Sequence, residues 1–76
     1  IKMTASELKI NQRAIISKLH LKLSDRRRCF NMGIYEGVSI TLIKKAPFKD
    51  PYLFSVNGNE ICMRQQDAKR IEVILS

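Results

Sequence analysis

The chain has 76 residues, which suffices for one small domain and leaves no room for a second. Hydrophobic residues make up 45% of it and charged residues 28%, a balance that excludes an intrinsically disordered chain. Fourteen Lys and Arg against seven Asp and Glu give a net charge of +7, which favours an anionic partner such as nucleic acid, a membrane surface or an acidic protein face, and which also keeps a small protein soluble.

The amino-terminal segment predicts neither a signal peptide nor a membrane anchor. The stretch Ile1-Lys2-Met3-Thr4 lacks the apolar core of a secretory signal, and the apolar runs are far shorter than the ~18 residues that a membrane span requires. We therefore expect one domain over residues 1–76, without membrane insertion. Because the chain opens on Ile, Met3 is a candidate native start, with Ile1-Lys2 a cloning remnant. The wider alternative is that residues 1–3 are all disordered or such a remnant.

The first predicted elements are a helical turn and a strand. Thr4 and Glu7 have the spacing of a capping box, in which each side chain bonds the other residue's backbone N–H. This spacing predicts a helical turn through about Leu8. The apolar-rich segment from Arg13 to Leu19 then predicts the first strand.

A short helix is predicted next, from Asp25 to Met32. Ser24 suits its N-cap, and Gly33 suits the left-handed position that follows a helix. Cys29, Phe30 and Met32 form its predicted apolar side. A helix placed in this way has three cations in its first turn, where the positive end of the helix dipole disfavours them: Arg26, Arg27 and Arg28.

The second half of the chain alternates apolar and polar residues, as half-buried strands do. This alternation predicts strands over Val38 to Lys45, Tyr52 to Val56, Glu60 to Arg64 and Ile71 to Leu75. The apolar residues expected to share a face are, strand by strand, Val38, Ile40 and Leu42; Tyr52, Phe54 and Val56; Ile61 and Met63; and Ile71, Val73 and Leu75. The two middle strands are joined by a tight turn at Asn57-Gly58 or Gly58-Asn59, since Asn and Gly both adopt positive φ. The connections are a proline-containing loop from Ala46 to Pro51 and a helical turn from Gln65 to Lys69.

These elements predict a mainly β fold, a small SH3-like barrel of about five antiparallel strands with short helical inserts. An OB-like barrel is the alternative. Parallel pairing is disfavoured because the connections are shorter than the dozen or more residues that a crossover needs.

The inventory of reactive residues predicts a protein without catalysis, cofactor or resident metal. Cys29 and Cys62 lie far apart with no partners at zinc-ligand spacing, and the single histidine, His20, has none either. Two isolated thiols in a chain this small are typical of a reduced, cytoplasmic protein. The carboxylates occur singly, and the glycines are accounted for by caps and turns.

One segment resembles the hallmark segment of the FeoA family, the small cytoplasmic proteins of bacterial ferrous iron uptake. It reads Arg26-Arg27-Arg28-Cys29-Phe30-Asn31-Met32-Gly33-Ile34 and is followed by Gly37-Val38. Shorter matches extend the resemblance from about Thr4 to Leu75: Ser6-Glu7-Leu8, Gln12-Arg13-Ala14, Lys45-Ala46-Pro47, Asp50-Pro51, Arg64 with Ala68, and Ile71 with Val73. The chain departs from the family at Cys29, where Leu is usual, and at Ile10-Asn11, where Pro-Gly is common. Asn11 still tolerates positive φ, so we expect a turn there.

The resemblance implies an SH3-like fold and an accessory role in ferrous iron transport. The implied partner is the cytoplasmic region of a membrane transporter similar to FeoB, which carries a GTP-binding domain. The implied action is protein–protein contact, without nucleic acid.

Three groups of residues are candidates for the partner surface. The first is the arginine run, because guanidinium groups pair bidentately with carboxylates; the simpler alternative is neutralisation by Asp25 or Glu36. The second is the aromatic pair Phe48 and Tyr52, which either contact a partner or, for Phe48, fold back onto the barrel. The third is Leu21 with Leu23, which either cover the barrel edge or form an apolar groove for a peptide.

Two other functions compete with the accessory role. A small basic barrel that binds nucleic acid is compatible with the charge of +7, but surface aromatics for base stacking are few. A metal sensor or iron carrier is opposed by the ligand inventory of one histidine and two distant cysteines.

Overall fold

The computed structural model describes residues 3–46, 48 and 50–76, which contain a six-stranded antiparallel sheet. Its strands are β1 (Met3–Thr4), β2 (Arg13–Leu19), β3 (Ser39–Lys45), β4 (Tyr52–Val56), β5 (Asn59–Met63) and β6 (Ile71–Leu75). The helical elements are a 3-10 turn (Ala5–Glu7), α1 (Leu23–Asn31) and α2 (Gln65–Ala68). The spatial order of the strands is β1-β6-β2-β3-β4-β5.

The predicted mainly β architecture is confirmed, with one strand more than expected. The additional strand, β1, consists of two residues and pairs with β6, Met3 lying opposite Val73. The expected disorder of residue 3 is therefore wrong, whereas Ile1 and Lys2 lie outside the described residues. A two-residue strand shows no alternation, so only its pairing reveals it.

The core contains the residues that the alternation placed on the inner faces of the strands. These are Val38, just before β3, Ile40 and Leu42 of β3, and Tyr52, Phe54 and Val56 of β4, all buried. Ile71 and Val73 of β6 are buried as expected, but Leu75 is 47% exposed. Leu75 is the last residue of β6 and pairs with Ala14 of β2, but its side chain lies beyond the buried part of the strand.

The turns form where the local sequence predicts them. The backbone N–H of Thr4 donates to Oε1 of Glu7 at 2.8 Å, which forms the carboxylate half of the capping box. Asn11 has a φ of 67°, so the turn expected there is present. Val56 pairs with Asn59, which places the hairpin turn at Asn57-Gly58 and excludes the alternative.

Helix α1 begins two residues earlier than the sequence predicted. Its N-cap is Lys22, whose carbonyl accepts the N–H of Arg26 at 2.9 Å, so Ser24 lies within the first turn and its assignment as N-cap is wrong. The earlier start follows from the preceding chain. The N–H of His20 bonds the carbonyl of Arg70 at 2.9 Å, and Leu21 packs against the core, so the chain turns immediately after them.

The end of α1 forms as predicted. Gly33 has a φ of 85°, its N–H donates to the carbonyl of Phe30 at 3.0 Å, and the N–H of Ile34 donates to the carbonyl of Cys29 at 2.8 Å. These two bonds are those of a Schellman motif, and the buried side chain of Ile34 anchors it.

The predicted apolar side of α1 is largely wrong. Phe30 is 62% exposed and Met32 is 45% exposed, while Cys29 is half-buried against the core. Helix α1 has no fully buried residue, because it lies on the surface of the sheet and not within it.

Candidate functional site

The three consecutive arginines have different surroundings. Nη1 of Arg26 donates to the carbonyl of Leu19 at 3.0 Å, and its Nη2 lies 3.8 Å from Oε2 of Glu36. Nη2 of Arg28 lies 3.7 Å from Oδ1 of Asp25, within the same helix. Arg27 is exposed and makes no ion pair within the described part of the chain.

The predicted conflict between these arginines and the helix dipole is wrong. Since α1 begins at Leu23, the arginines lie beyond the first residues of the helix, and Arg28 belongs to its last turn, where a cation is favourable. The neutralising acids that the sequence offered, Asp25 and Glu36, do lie beside Arg28 and Arg26. Of the three guanidinium groups, that of Arg27 therefore remains available to a partner.

The other candidate contact residues do not form one surface. Phe48 is fully exposed with a φ of 64°, so it does not fold back onto the sheet. The expected exposure of Tyr52 is wrong, because its ring is only 3% exposed and lies 6.1 Å from that of Phe54 in the core. The proline-containing loop from Ala46 to Pro51 also includes Pro47 and Lys49, which lie outside the described residues.

Leu21 and Leu23 separate because the helix begins between them. Leu21 is half-buried and packs against the core, whereas Leu23 is 66% exposed on the first turn of α1. The extended geometry in which the two would share a face is therefore absent. Leu21 instead lines a groove.

This groove, the α1–β5 groove, lies between helix α1 and strand β5 and has a volume of about 490 Å³. Its apolar lining comes from α1 and the residues that flank it, from β5 and from the start of β6: Leu21, Cys29, Met32, Ile34, Ile61, Met63 and Ile71. Charged side chains also line it, two of them acids and three of them arginines: Asp25, Asp67, Arg28, Arg64 and Arg70. An apolar surface bordered by charges is typical of a protein-docking site.

Cys29 lies within this groove, and its burial and the charges around it shift the pKa of its thiol. Burial raises the pKa of the Cys29 thiol, the nearby carboxylates of Asp25 and Asp67 act in the same direction, and the Arg28 guanidinium opposes them. A raised pKa makes the thiol a weak nucleophile at neutral pH. Cys29 and the exposed Cys62 are both free thiols.

The other flank of α1 carries an exposed aromatic pair. The rings of Phe30 and Tyr35 lie 5.2 Å apart beside Arg27, in a shallow depression of about 360 Å³. Exposed aromatic rings next to an unpaired arginine have the composition of an interface hot spot. Sequence reasoning missed this pair because it assigned Phe30 to the buried side of the helix.

Sequence reasoning also missed Arg64 and Arg70. They are remote from the arginine run in sequence, and only the folding of β5, α2 and β6 brings them to the groove. The available signal was their position just before and just after α2, a helix so short that both stay close to it.

The described residues contain no cluster of three or more His, Cys, Asp or Glu side chains able to hold a metal ion. Nε2 of His20 lies 3.0 Å from Oε1 of Glu72, and the imidazole is half-exposed. Within residues 3–46, 48 and 50–76, no helix is long and apolar enough to cross a membrane.

Comparison with known proteins points to one family. A model of the FeoA domain matches residues 3–75. The chain is 33% identical over 73 residues to an Fe(2+) transport protein A/Fe(2+) transporter FeoB fusion protein of Porphyromonas gingivalis. That alignment covers 96% of this chain and only 9% of the fusion protein.

Two solved structures are similar over nearly the whole chain. The FeoA protein of Chlorobium tepidum is 32% identical with a TM-score of 0.89, covering 96% of this chain and 70% of that one. The FeoA of Stenotrophomonas maltophilia, described as an SH3 domain protein and complexed with zinc, is 31% identical with a TM-score of 0.76, covering 93% and 88%. The predicted SH3-like fold is confirmed, and the iron-transport prediction is favoured over the nucleic-acid alternative.

Proposed function

Because this chain belongs to the FeoA domain family, which is associated with ferrous iron transport, we propose that it is an accessory protein that binds and modulates a FeoB-like transporter. The binding takes place on the cytoplasmic side, through the transporter's cytoplasmic region. The chain acts as one domain and by contact alone, without catalysis.

The observation that carries this proposal is the fusion protein of Porphyromonas gingivalis. There, a segment similar to nearly all of this chain is part of the same polypeptide as a Fe(2+) transporter FeoB. A covalent link keeps two domains at high effective concentration, which is useful when they work in contact. A separate chain of the same family needs a binding surface to achieve the same proximity.

The proposed contact is the exposed side of α1 around Arg27. The net charge of +7 steers the chain toward an acidic surface, and Arg27 has no ion pair within the described residues. The neighbouring rings of Phe30 and Tyr35 supply apolar area that a partner would bury. Phe48 and Leu23, both exposed, are further candidates, whereas Arg26 and Arg28 already have partners within the chain.

The test is direct binding to the purified cytoplasmic region of the transporter from the same organism. We expect saturable binding of the native chain and a loss of about tenfold in affinity for Arg27→Glu, since that change removes an attraction and adds a repulsion. The matched control is Lys9→Glu, which changes the net charge by the same amount on an exposed residue of another segment and should bind almost normally. The proposal is overturned if the native chain does not bind and deletion of its gene leaves ferrous iron uptake unchanged.

A further inference from the structure

Strand β5 has a free edge. Strand β5 is the last in the sheet order, so β4 pairs with one of its edges and no strand of the described part of the chain pairs with the other. The N–H of Asn57 bonds the carbonyl of Ser39 on the β3 side at 3.0 Å, so the even-numbered residues of β4 direct their backbone groups toward β5.

The register between β4 and β5 then determines which backbone groups of β5 are left without a partner in the sheet. Phe54 lies opposite Ile61 and Tyr52 lies opposite Met63, so Ile61 and Met63 bond β4. The backbone N–H and C=O groups of Glu60 and Cys62 point away from the sheet, and none of them has a partner within the described part of the chain. A row of unpaired backbone groups is a template for an added strand.

The free edge borders the α1–β5 groove. Cys62 and Arg64 line the groove on the side of the strand, and Arg28 and Met32 line it on the side of the helix. A space of about 490 Å³ suits a few residues of extended chain.

The two ends of the groove differ in charge. Arg64 and Arg70 lie at the α2 end without ion pairs in the described part of the chain, and Arg28 and Asp25 neutralise each other across 3.7 Å. Asp67 offsets one of the two remaining charges, so this end is positive. The other end of β5 carries the uncharged Asn59 and the exposed acid Glu60, so it is not positive.

We propose that the edge of β5 binds an extended segment of a protein partner as a seventh strand, with alternate apolar side chains in the α1–β5 groove and acidic residues at the α2 end. The inference builds on the proposed accessory role, which needs a binding surface, and it specifies the form and charge of the bound segment. Backbone hydrogen bonds to Glu60 and Cys62 supply affinity, while the apolar lining and Arg64 supply selectivity.

The test uses the isolated chain and a blocked synthetic peptide, Glu-Thr-Glu-Thr-Val-Thr-Val-Thr, so it does not depend on the transporter. Its acidic residues share the face of its valines and lie at the α2 end when the peptide pairs antiparallel to β5. We expect saturable binding followed by NMR, with amide hydrogen exchange at Glu60 and Cys62 slowed about tenfold and exchange at Ile61 and Met63 almost unchanged. The same peptide with Lys in place of Glu should bind about tenfold more weakly, as should a peptide methylated on the backbone nitrogens that face the strand.

The variant Arg64→Glu tests the positive end, with Lys44→Glu as a control of equal charge change on an exposed position of β3. Native-like spectra of both variants establish that they fold. We expect weaker peptide binding for Arg64→Glu alone. The inference is overturned by any of three results: absence of binding, protection confined to residues around Phe30 and Tyr35, or equal binding of the lysine peptide. None of these results decides whether the chain binds the transporter, which has its own test.

Discussion

Phe54 and Phe48 are the same residue type at opposite extremes of exposure. Phe54 is 0% exposed in the middle of β4, whereas Phe48 is 100% exposed in the loop before it. Alternation along the strand placed Phe54 in the core correctly. No periodic pattern extends to Phe48, so the sequence left its position open.

We expect Phe54→Ala to lower the free energy of unfolding by about 3–5 kcal/mol, because it removes a fully buried ring and leaves a cavity. Phe48→Ala should change it by less than about 0.5 kcal/mol, because the ring makes no buried contact. Urea denaturation followed by circular dichroism measures both. Similar losses in the two variants would contradict the assigned core.

The arginine run shows what residue type alone leaves undecided. Successive residues of a helix point in different directions, so three adjacent guanidinium groups reach three surroundings. Arg26 bonds the carbonyl of Leu19, Arg28 lies beside Asp25, and Arg27 is left available. Sequence reasoning treated the three as one basic patch, and the fold selects one of them.

At the scale of the element, helix α1 has a locally determined end and a start determined by its surroundings. Gly33 ends it through backbone conformation, a property of that residue alone. Its start depends on where β2 ends and where Leu21 packs, so the good N-cap residue Ser24 is bypassed.

Substitutions at the two ends of α1 are expected to destabilise the protein by different amounts. Gly33→Ala should destabilise the protein by roughly 1–2 kcal/mol, since an L-residue is strained at a φ of 85°. The added Cβ would lie 3.8 Å from the Asn59 side chain, an ordinary contact, so the cost is conformational. Ser24→Ala should cost less than about 0.5 kcal/mol instead of the ~1 kcal/mol of a lost N-cap. Thermal and urea unfolding of both variants would show the difference, and a large loss for Ser24→Ala would restore it as the cap.

The β4–β5 hairpin was the most predictable element. Its two strands and their inward-facing residues are fixed within a dozen residues of chain, because an Asn-Gly turn between alternating segments specifies a hairpin. The sequence left open which two of Asn57, Gly58 and Asn59 form the turn, and the pairing of Val56 with Asn59 decided it. Its free edge was not predictable, since it depends on which strand lies beside β5 in the completed sheet.

At the scale of the whole molecule, the net charge of +7 acts against compactness. The arginine ion pairs of the described residues, Arg26 with Glu36 and Arg28 with Asp25, are solvent-exposed and offset little of the repulsion among the basic side chains.

Raising the ionic strength from about 0.01 M to about 0.15 M should therefore stabilise the isolated chain, because the screening length falls from ~30 Å to ~8 Å. If screening relieves about 1 kcal/mol of repulsion, the midpoint of thermal unfolding rises by roughly 4–8 °C. The double variant Lys9→Glu with Lys18→Glu, which roughly halves the net charge, should show a smaller rise. If the midpoint of thermal unfolding instead fell with added salt, the surface ion pairs would be a net source of stability, which would contradict this prediction.

The sequence by itself determined the strands, the turns and the inner faces of the sheet, because each depends on short-range alternation and on residues such as Asn11, Gly33 and Gly58 that tolerate positive φ. It also carried the family resemblance, through motifs spread along the whole chain. The start of α1, the pairing of β1 and the free edge of β5 were decided by the tertiary structure. The α1–β5 groove belongs to this second group, because Arg28, Arg64 and Arg70 meet only after segments far apart in sequence have packed together, and long-range packing has no signature in local sequence.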